Sequence, residues 1–160
     1  MKEQRNVLIE SARIARGKVS SLATFSPNAA DALVIPGGFG AAKNLSSYAF
    51  DGPKCKVHPD VAKAIKDMHA CDKPIGALCI APVLVAKVLG KVSLTIGDDQ
   101  ATADNLVAMG ATHVPTSHGQ IAIDRENKIV TTPCYMLNSR VDQVAEGADN
   151  LIRAMLEMMA

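Results

Sequence analysis

The sequence predicts an α/β sandwich, a mostly parallel sheet with helices on both faces. Short apolar runs of strand length alternate with segments of helical period, and two of those runs end directly in a glycine turn or a helix start. Composition agrees. The 160 residues carry 17 Lys+Arg against 16 Asp+Glu, a formal charge of +1, with 48% hydrophobic and 21% charged residues. Such a balance suits a globular chain and not a disordered one. It leaves no field to gather polyanions, so no nucleic-acid partner is expected. The length fits one domain, expected over residues 1–160, since domains commonly run to about 100–150 residues. No apolar run nears the ~20 residues that span a bilayer, so no membrane partner is expected either. The four cysteines, scattered from Cys55 to Cys134, do not resemble a secreted disulfide scaffold.

Residues 1–19 (MKEQRNVLIESARIARGKV) place Val7, Leu8, Ala12 and Ile14 on neighbouring helical turns, which predicts an amphipathic segment lying against a core. A short strand at 6–9 is the competing reading. Arg5, Arg13 and Arg16 suggest the basic face of a transit peptide, but Glu3 and Glu10 interrupt it, and targeting segments are poor in acids. The expected compartment is therefore the cytoplasm, with a mitochondrial or other organelle matrix as the alternative.

Residues 31–35 (DALVI) form an apolar run that ends in Pro36-Gly37-Gly38, a buried strand entering a glycine turn. In 58–70 (HPDVAKAIKDMHA) Val61, Ala64, Ile65 and Met68 keep a helical period, and Pro59 suits a first turn. Residues 74–79 (PIGALC) read as a second buried strand, 81–89 as an apolar helix and 92–96 (VSLTI) as a third strand. A helix over 102–109 closes at Gly110. Segments 120–124 and 128–132 flank Arg125-Glu126-Asn127 as a hairpin, and 141–159 is a long terminal helix.

Two segments carry chemistry. In Gly76-Ala77-Leu78-Cys79-Ile80-Ala81 a strand runs into cysteine and then directly into a helix. This is the layout of a nucleophile elbow, with Cys79 in the serine position and Ala81 where the second glycine is usual. The turn lifts the side chain from the carboxyl edge of the sheet, where open α/β sheets bind ligands. The helix start favours a thiolate there. The alternative is a buried cysteine acting as a small hydrophobe. The second segment is Pro36-Gly37-Gly38-Phe39-Gly40-Ala41-Ala42-Lys43-Asn44. Paired glycines after a strand let backbone amides approach a developing oxyanion. Lys43 lacks the flanking Gly and Ser/Thr of a phosphate loop and stands where a dinucleotide fingerprint needs Gly or Ala. A plain tight turn is the alternative.

The strings PGGFGAAKNLSSYA, GALCIAPVLVAK, LTIG and KIVTTPCYML resemble the ElbB family of isoprenoid-biosynthesis proteins with an amidotransferase-like domain. That family belongs to the PfpI/ThiJ-like branch of the class I glutamine amidotransferase superfamily, and the resemblance runs from about Gln4 to the C-terminus. It implies a flavodoxin-like sandwich, Cys79 as elbow nucleophile and the Gly37, Gly38 and Ile80 backbone as the oxyanion pocket. Phe39, Lys43, Asn44 and Cys134 become candidates for the substrate pocket. Weak glutathione-independent glyoxalase activity on small reactive carbonyls follows, with no cofactor or metal. Family members carry a strand, a Gly-Cys-Gly loop, a helix and a second strand ahead of the point matching Met1, with a glutamate that contacts the cysteine. The resemblance thus implies a domain incomplete at its N-terminus, lacking the family's first strand. Lower stability and a homo-oligomer are expected from the exposed edge.

Related amidotransferases and proteases place a histidine near the elbow. Here Ile80 follows the cysteine and the next strand ends Thr95-Ile96-Gly97-Asp98, which argues against Cys–His amide hydrolysis. His58, His69, His113 and His118 read as surface or structural residues, and no C-x-x-C pair exists to complete a metal site with His113 and His118. Cys55 and Cys71 fall in or beside polar loops, whereas Cys134 ends the last strand and could pair with Cys79 on the shared rim. Three readings remain: a carbonyl-directed cysteine enzyme, a redox-responsive or ligand-binding protein, and a regulatory subunit with a vestigial site.

Overall fold

In the computed structural model, which describes residues 5–159, the chain forms three layers around a four-stranded sheet. Its strands are β1 (Leu33–Ile35), β2 (Ile75–Leu78), β6 (Ile129–Thr132) and β5 (Ala122–Asp124), adjacent in that order. β1, β2 and β6 run parallel, while β5 returns antiparallel to β6 as the expected hairpin, with Ala122 opposite Thr131. A separate parallel pair joins β3 (Ser93–Leu94) to β4 (Thr112–His113). Buried side chains bind that pair to the main sheet. The Ser93 amide donates to the Asp124 carboxylate at 2.7 Å, and the Thr95 amide donates to Thr131 Oγ1 at 2.9 Å.

Alternation along the strands assigns the two faces. Ile75, Ala77 and Ile129 enter the larger core with α4 (Pro59–Ala70), α5 (Pro82–Leu89) and α6 (Gln100–Ala108). Val130 faces the other way, toward Leu151, Ala154 and Met155 of α7 (Val141–Glu157). Gly147, Leu151, Ala154 and Met155 supply the buried stripe of that helix at helical spacing. In α5, Pro82 through Ala86 are all buried, as its unbroken apolar run predicts. His58 caps α4 by accepting a hydrogen bond from the Asp60 amide.

The first helix corrects one expectation. α1 (Val7–Ile14) forms because Asn6 accepts from the Leu8 and Ile9 amides at its N-terminus and Glu10 pairs with Arg13. No residue of it is buried; Val7, Leu8, Ile9 and Ile14 are exposed, so the segment does not lie against a core and residues 6–9 are not a strand. Residues 1–4, Glu3 among them, and Ala160 fall outside the described residues. The strand at 31–35 is likewise only partly buried. β1 is an edge strand, and Val34, on the α7 side, is 40% exposed. Cys55, placed beside a polar loop from sequence, is buried at the end of a 3₁₀ turn (Gly52–Lys54). No helix among the described residues is long and apolar enough to cross a membrane.

Where α7 crosses the sheet, β2 offers a glycine. A Cβ on Gly76 would stand 2.5 Å from Met155 Sδ and 2.8 Å from Leu151 Cδ2, both on buried side chains. Gly76→Ala is therefore expected to cost about 1–3 kcal/mol by overpacking, read as a lower urea midpoint at unchanged slope.

Candidate active site

β2 ends at Leu78, and the chain reaches α5 through Cys79, Ile80 and Ala81. Cys79 occupies the left-handed region at φ 58°, where a residue with a Cβ is strained by about 1–3 kcal/mol. Hydrogen bonds on both sides hold it there. The Cys79 amide donates to the Thr132 carbonyl at 3.0 Å, extending the β2–β6 ladder, and the Ala81 amide donates back to the Leu78 carbonyl at 3.0 Å. The side chain is half-buried, not sealed in the core. This is the elbow geometry that the strand–cysteine–helix pattern predicts.

Facing the elbow is the turn after β1. Gly37 sits at φ 87° and Gly38 at φ 77°, conformations open to glycine and strained for other residues. A Cβ on Gly37 would collide with the Leu78 carbonyl oxygen and lie 3.0 Å from Cys79 Cβ. The glycine therefore allows the two strand ends to close on each other. Gly38 starts α2 (Phe39–Lys43). Neither the Gly38 nor the Ile80 amide donates to an acceptor among the described residues, so both N–H groups are free to receive one.

The other expected pocket residues divide. Asn44 and Gly37 line a hollow of about 700 Å³ between this turn and α1, together with Arg5, Glu10 and Ser11. Phe39 and Lys43 do not line it. Lys43 Nζ instead stands 5.7 Å from the Phe39 ring centre and 5.9 Å from that of Phe50, both rings exposed, an outward cation–π cluster. Glu10 enters this hollow unannounced, since its sequence context reads only as an acid in a basic helix. A larger hollow of about 900 Å³, between the Thr116–Gln120 loop and α7, holds none of the expected site residues. Cys79 lines neither.

Cys134 joins the elbow. It follows β6, at φ 45°, in a short 3₁₀ turn (Cys134–Met136). Its thiol is pushed up in pKa, first by burial and then by the neighbouring Cys79 sulfur, while the Cys79 backbone amide draws it partly back. Both sulfurs thus belong to one cluster. Ser139 Oγ donates to the Cys134 carbonyl at 2.8 Å, and His118 Nδ1 meets Ser139 Oγ at 2.8 Å.

The remaining histidines are engaged away from the elbow. His58 caps α4, and His69 Nε2 meets Asn127 Oδ1 at 3.1 Å. His113 buries Nε2 without a partner; burial lowers its pKa, and contact with the Gly97 carbonyl raises it back in part.

Two outcomes follow from this packing. Gly37→Ala is expected to displace the elbow and slow alkylation of Cys79 relative to Cys71 in the same digest, because its Cβ competes with the Leu78 carbonyl and the Cys79 side chain. His113 is harder to protonate folded than unfolded, so the unfolded chain binds more protons once pH falls below ~6.5. Stability therefore declines from that pH downward until the folded pKa is passed. His113→Gln is expected to flatten that decline in melting temperature between about pH 7 and pH 5.

No family model matches the chain. Among curated proteins, the ES1 protein homolog, mitochondrial, of Rattus norvegicus is 45% identical over 166 residues, 98% of this chain and 62% of that protein. Glutamine amidotransferase-like class 1 domain-containing protein 3, mitochondrial, of Homo sapiens is 46% identical over 165 residues, with the same coverage of 98% and 62%. The chain thus spans 62% of the length of these relatives. A crystal structure of an isoprenoid biosynthesis protein with an amidotransferase-like domain from Ehrlichia chaffeensis superposes with a TM-score of 0.88 at 36% identity, covering 98% of this chain and 73% of that one. Drosophila melanogaster DJ-1beta, at a TM-score of 0.55 and 21% identity over 86% of this chain and 66% of its own, shares the fold. With the flavodoxin-like sandwich and the glycine turn against the cysteine elbow, these likenesses show that the chain belongs to the ElbB family of isoprenoid-biosynthesis proteins with an amidotransferase-like domain.

Proposed function

We propose that the protein is a cysteine-dependent enzyme acting weakly on small reactive carbonyls such as 2-oxoaldehydes. One observation carries the reading: Cys79 is held at φ 58° on the carboxyl rim of the sheet, beside unpaired backbone amides. Strained residues of this kind cluster at functional sites. In the step proposed, the Cys79 thiolate forms a C–S bond to the aldehyde carbon and the carbonyl π electrons move to oxygen. The amides of Gly38 and Ile80 receive that oxyanion. A proton shift and hydrolysis would then give the 2-hydroxy acid, consuming water and calling for no metal or organic cofactor. Glutaminase chemistry fits poorly, because no histidine is bonded to the Cys79 sulfur among the described residues: His58 and His69 are engaged on α4, His113 meets Gly97, and His118 reaches only the Cys134 backbone through Ser139.

That same distribution of histidines favours a second reading, a redox-responsive or ligand-binding member of the family without turnover. Two further parts of the reading rest on other features. The mitochondrial designation in the rat and human relatives' names supports an organelle matrix over the cytoplasm. The open edge of β1 and the exposed apolar side chains of α1 support a homo-oligomer.

Methylglyoxal consumption, followed by NMR as lactate formation, distinguishes the two readings when combined with alkylation of Cys79 against pH. The enzyme reading expects turnover that Cys79→Ser abolishes and alkylation of Cys79 faster than that of Cys55 and Cys71. Fast alkylation with no lactate selects the second reading. A Cys79 silent until denaturation removes both.

A further inference from the structure

Cys79 and Cys134 occupy the ends of neighbouring parallel strands. Leu78 lies opposite Thr132, and the Cys79 amide donates to the Thr132 carbonyl at 3.0 Å, which ties Cys79 to the last residue of β6, two residues before Cys134. Past Thr132 the chain leaves the strand at Pro133 (φ −75°, ψ −28°), and this turn places Cys134 where the Cys79 backbone amide and sulfur both act on its thiol. A disulfide needs Cα atoms about 4.4–6.8 Å apart. Cys79 is half-buried and Cys134 buried, while Cys71 is exposed and Cys55 is buried beside the Gly52–Lys54 turn, on another part of the chain. The left-handed backbone at both cysteines, φ 58° and φ 45°, turns each chain at this point of the rim.

We propose that Cys134 is the resolving thiol of Cys79, and that a hydroperoxide converts the pair into a reversible disulfide that switches the site off. The Cys79 thiolate attacks one peroxide oxygen, the O–O bond breaks, and Cys79 becomes a sulfenic acid while the peroxide is reduced to an alkoxide or hydroxide. Cys134 sulfur then attacks Cys79 sulfur. The S–S bond forms as the S–O bond breaks, and the departing hydroxide takes the Cys134 proton as water. A small dithiol reverses the reaction by exchange, leaving two thiols and its own disulfide. Burial raises the pKa of Cys134, so its thiol brings the proton that the departing hydroxide takes. Without a resolving thiol, a second hydroperoxide would oxidise the sulfenic acid to sulfinic acid, being itself reduced to an alcohol or water, and small thiols do not reduce the sulfinic acid.

The inference rests on the reading of Cys79 as an accessible nucleophile, and not on carbonyl turnover. Its test is peroxide treatment of the reduced protein, followed by peptide mapping without reductant and by iodoacetamide labelling of Cys79 before and after dithiothreitol. A cross-linked Cys79–Cys134 peptide lighter by two hydrogens is expected, with labelling lost on oxidation and returned to its untreated rate by dithiothreitol. In Cys134→Ala and Cys134→Ser the loss should be irreversible, as sulfinic acid on Cys79. The wild-type cross-link decides the matter even where a variant folds poorly. If Cys79 labels readily in the untreated protein and no cross-link forms, or recovery is equal in the Cys134 variants, the switch is overturned and the carbonyl reading stands. If untreated Cys79 does not label, both fall together.

Discussion

The close approach of the β1 and β2 strand ends governs the rest of the site. Gly37 lies so near the Leu78 carbonyl and the Cys79 Cβ that no side chain fits between them. That contact holds the glycine turn over the elbow, and it is possible only because Gly37 has no Cβ and adopts a positive φ. Strain at Cys79 is offset by hydrogen bonds on either side, one to β6 and one within the turn. A buried α5 then fixes the direction in which the chain leaves. Core packing and site geometry are one arrangement here.

The sheet is narrow, and its two faces are held differently. On one face α4, α5 and α6 build a broad core with Ile65, Met68, Leu84 and Leu106 fully buried. On the other, α7 covers β2 and β6, and it comes close because Gly76 lies beneath Met155 and Leu151 while its own Gly147 approaches Thr132 Oγ1. Thr132 in turn donates to the Gln120 carbonyl, and its own carbonyl receives the Cys79 amide. The last residue of β6 therefore links the hairpin, the terminal helix and the elbow. Cys134, two residues on, inherits its position from that link.

Family membership accounts for the scaffold and the elbow but assigns no reaction, because function resides in the site and not in the fold. Within the site, the proposed addition of a nucleophile to a carbonyl asks for less than amide hydrolysis does, since it needs no Cys–His pair. The Gly38 and Ile80 amides make no hydrogen bond among the described residues, whereas the histidines are engaged, His58 and His69 on α4 and His118 through Ser139 beside Cys134. A sulfur able to add to carbonyls, as proposed for Cys79, would also be open to oxidants, which gives Cys134 its place in the proposal.

Local patterns carried much of this in the sequence. The hairpin around Arg125-Glu126-Asn127, the α4 and α7 stripes and the strand–Cys79–helix turn all follow from residue order, since hydrogen bonding within an element and its apolar period are set by near neighbours. The glycine pair after β1 was equally legible, because a positive φ has few other occupants. What tertiary structure decided was coverage and company. Residues 7–14 have the pattern and capping of an amphipathic helix, yet no part of the described structure packs over them. β1 has the composition of a buried strand, yet it stands at an edge where α7 leaves Val34 exposed. Lys43 belongs to the glycine loop by sequence but lies on two outward aromatic rings, and Glu10 reaches the hollow beside Gly37 from a distant stretch of chain. A sequence specifies which face of an element is apolar; only the folded chain determines what meets that face, because the contacts come from residues far away along it.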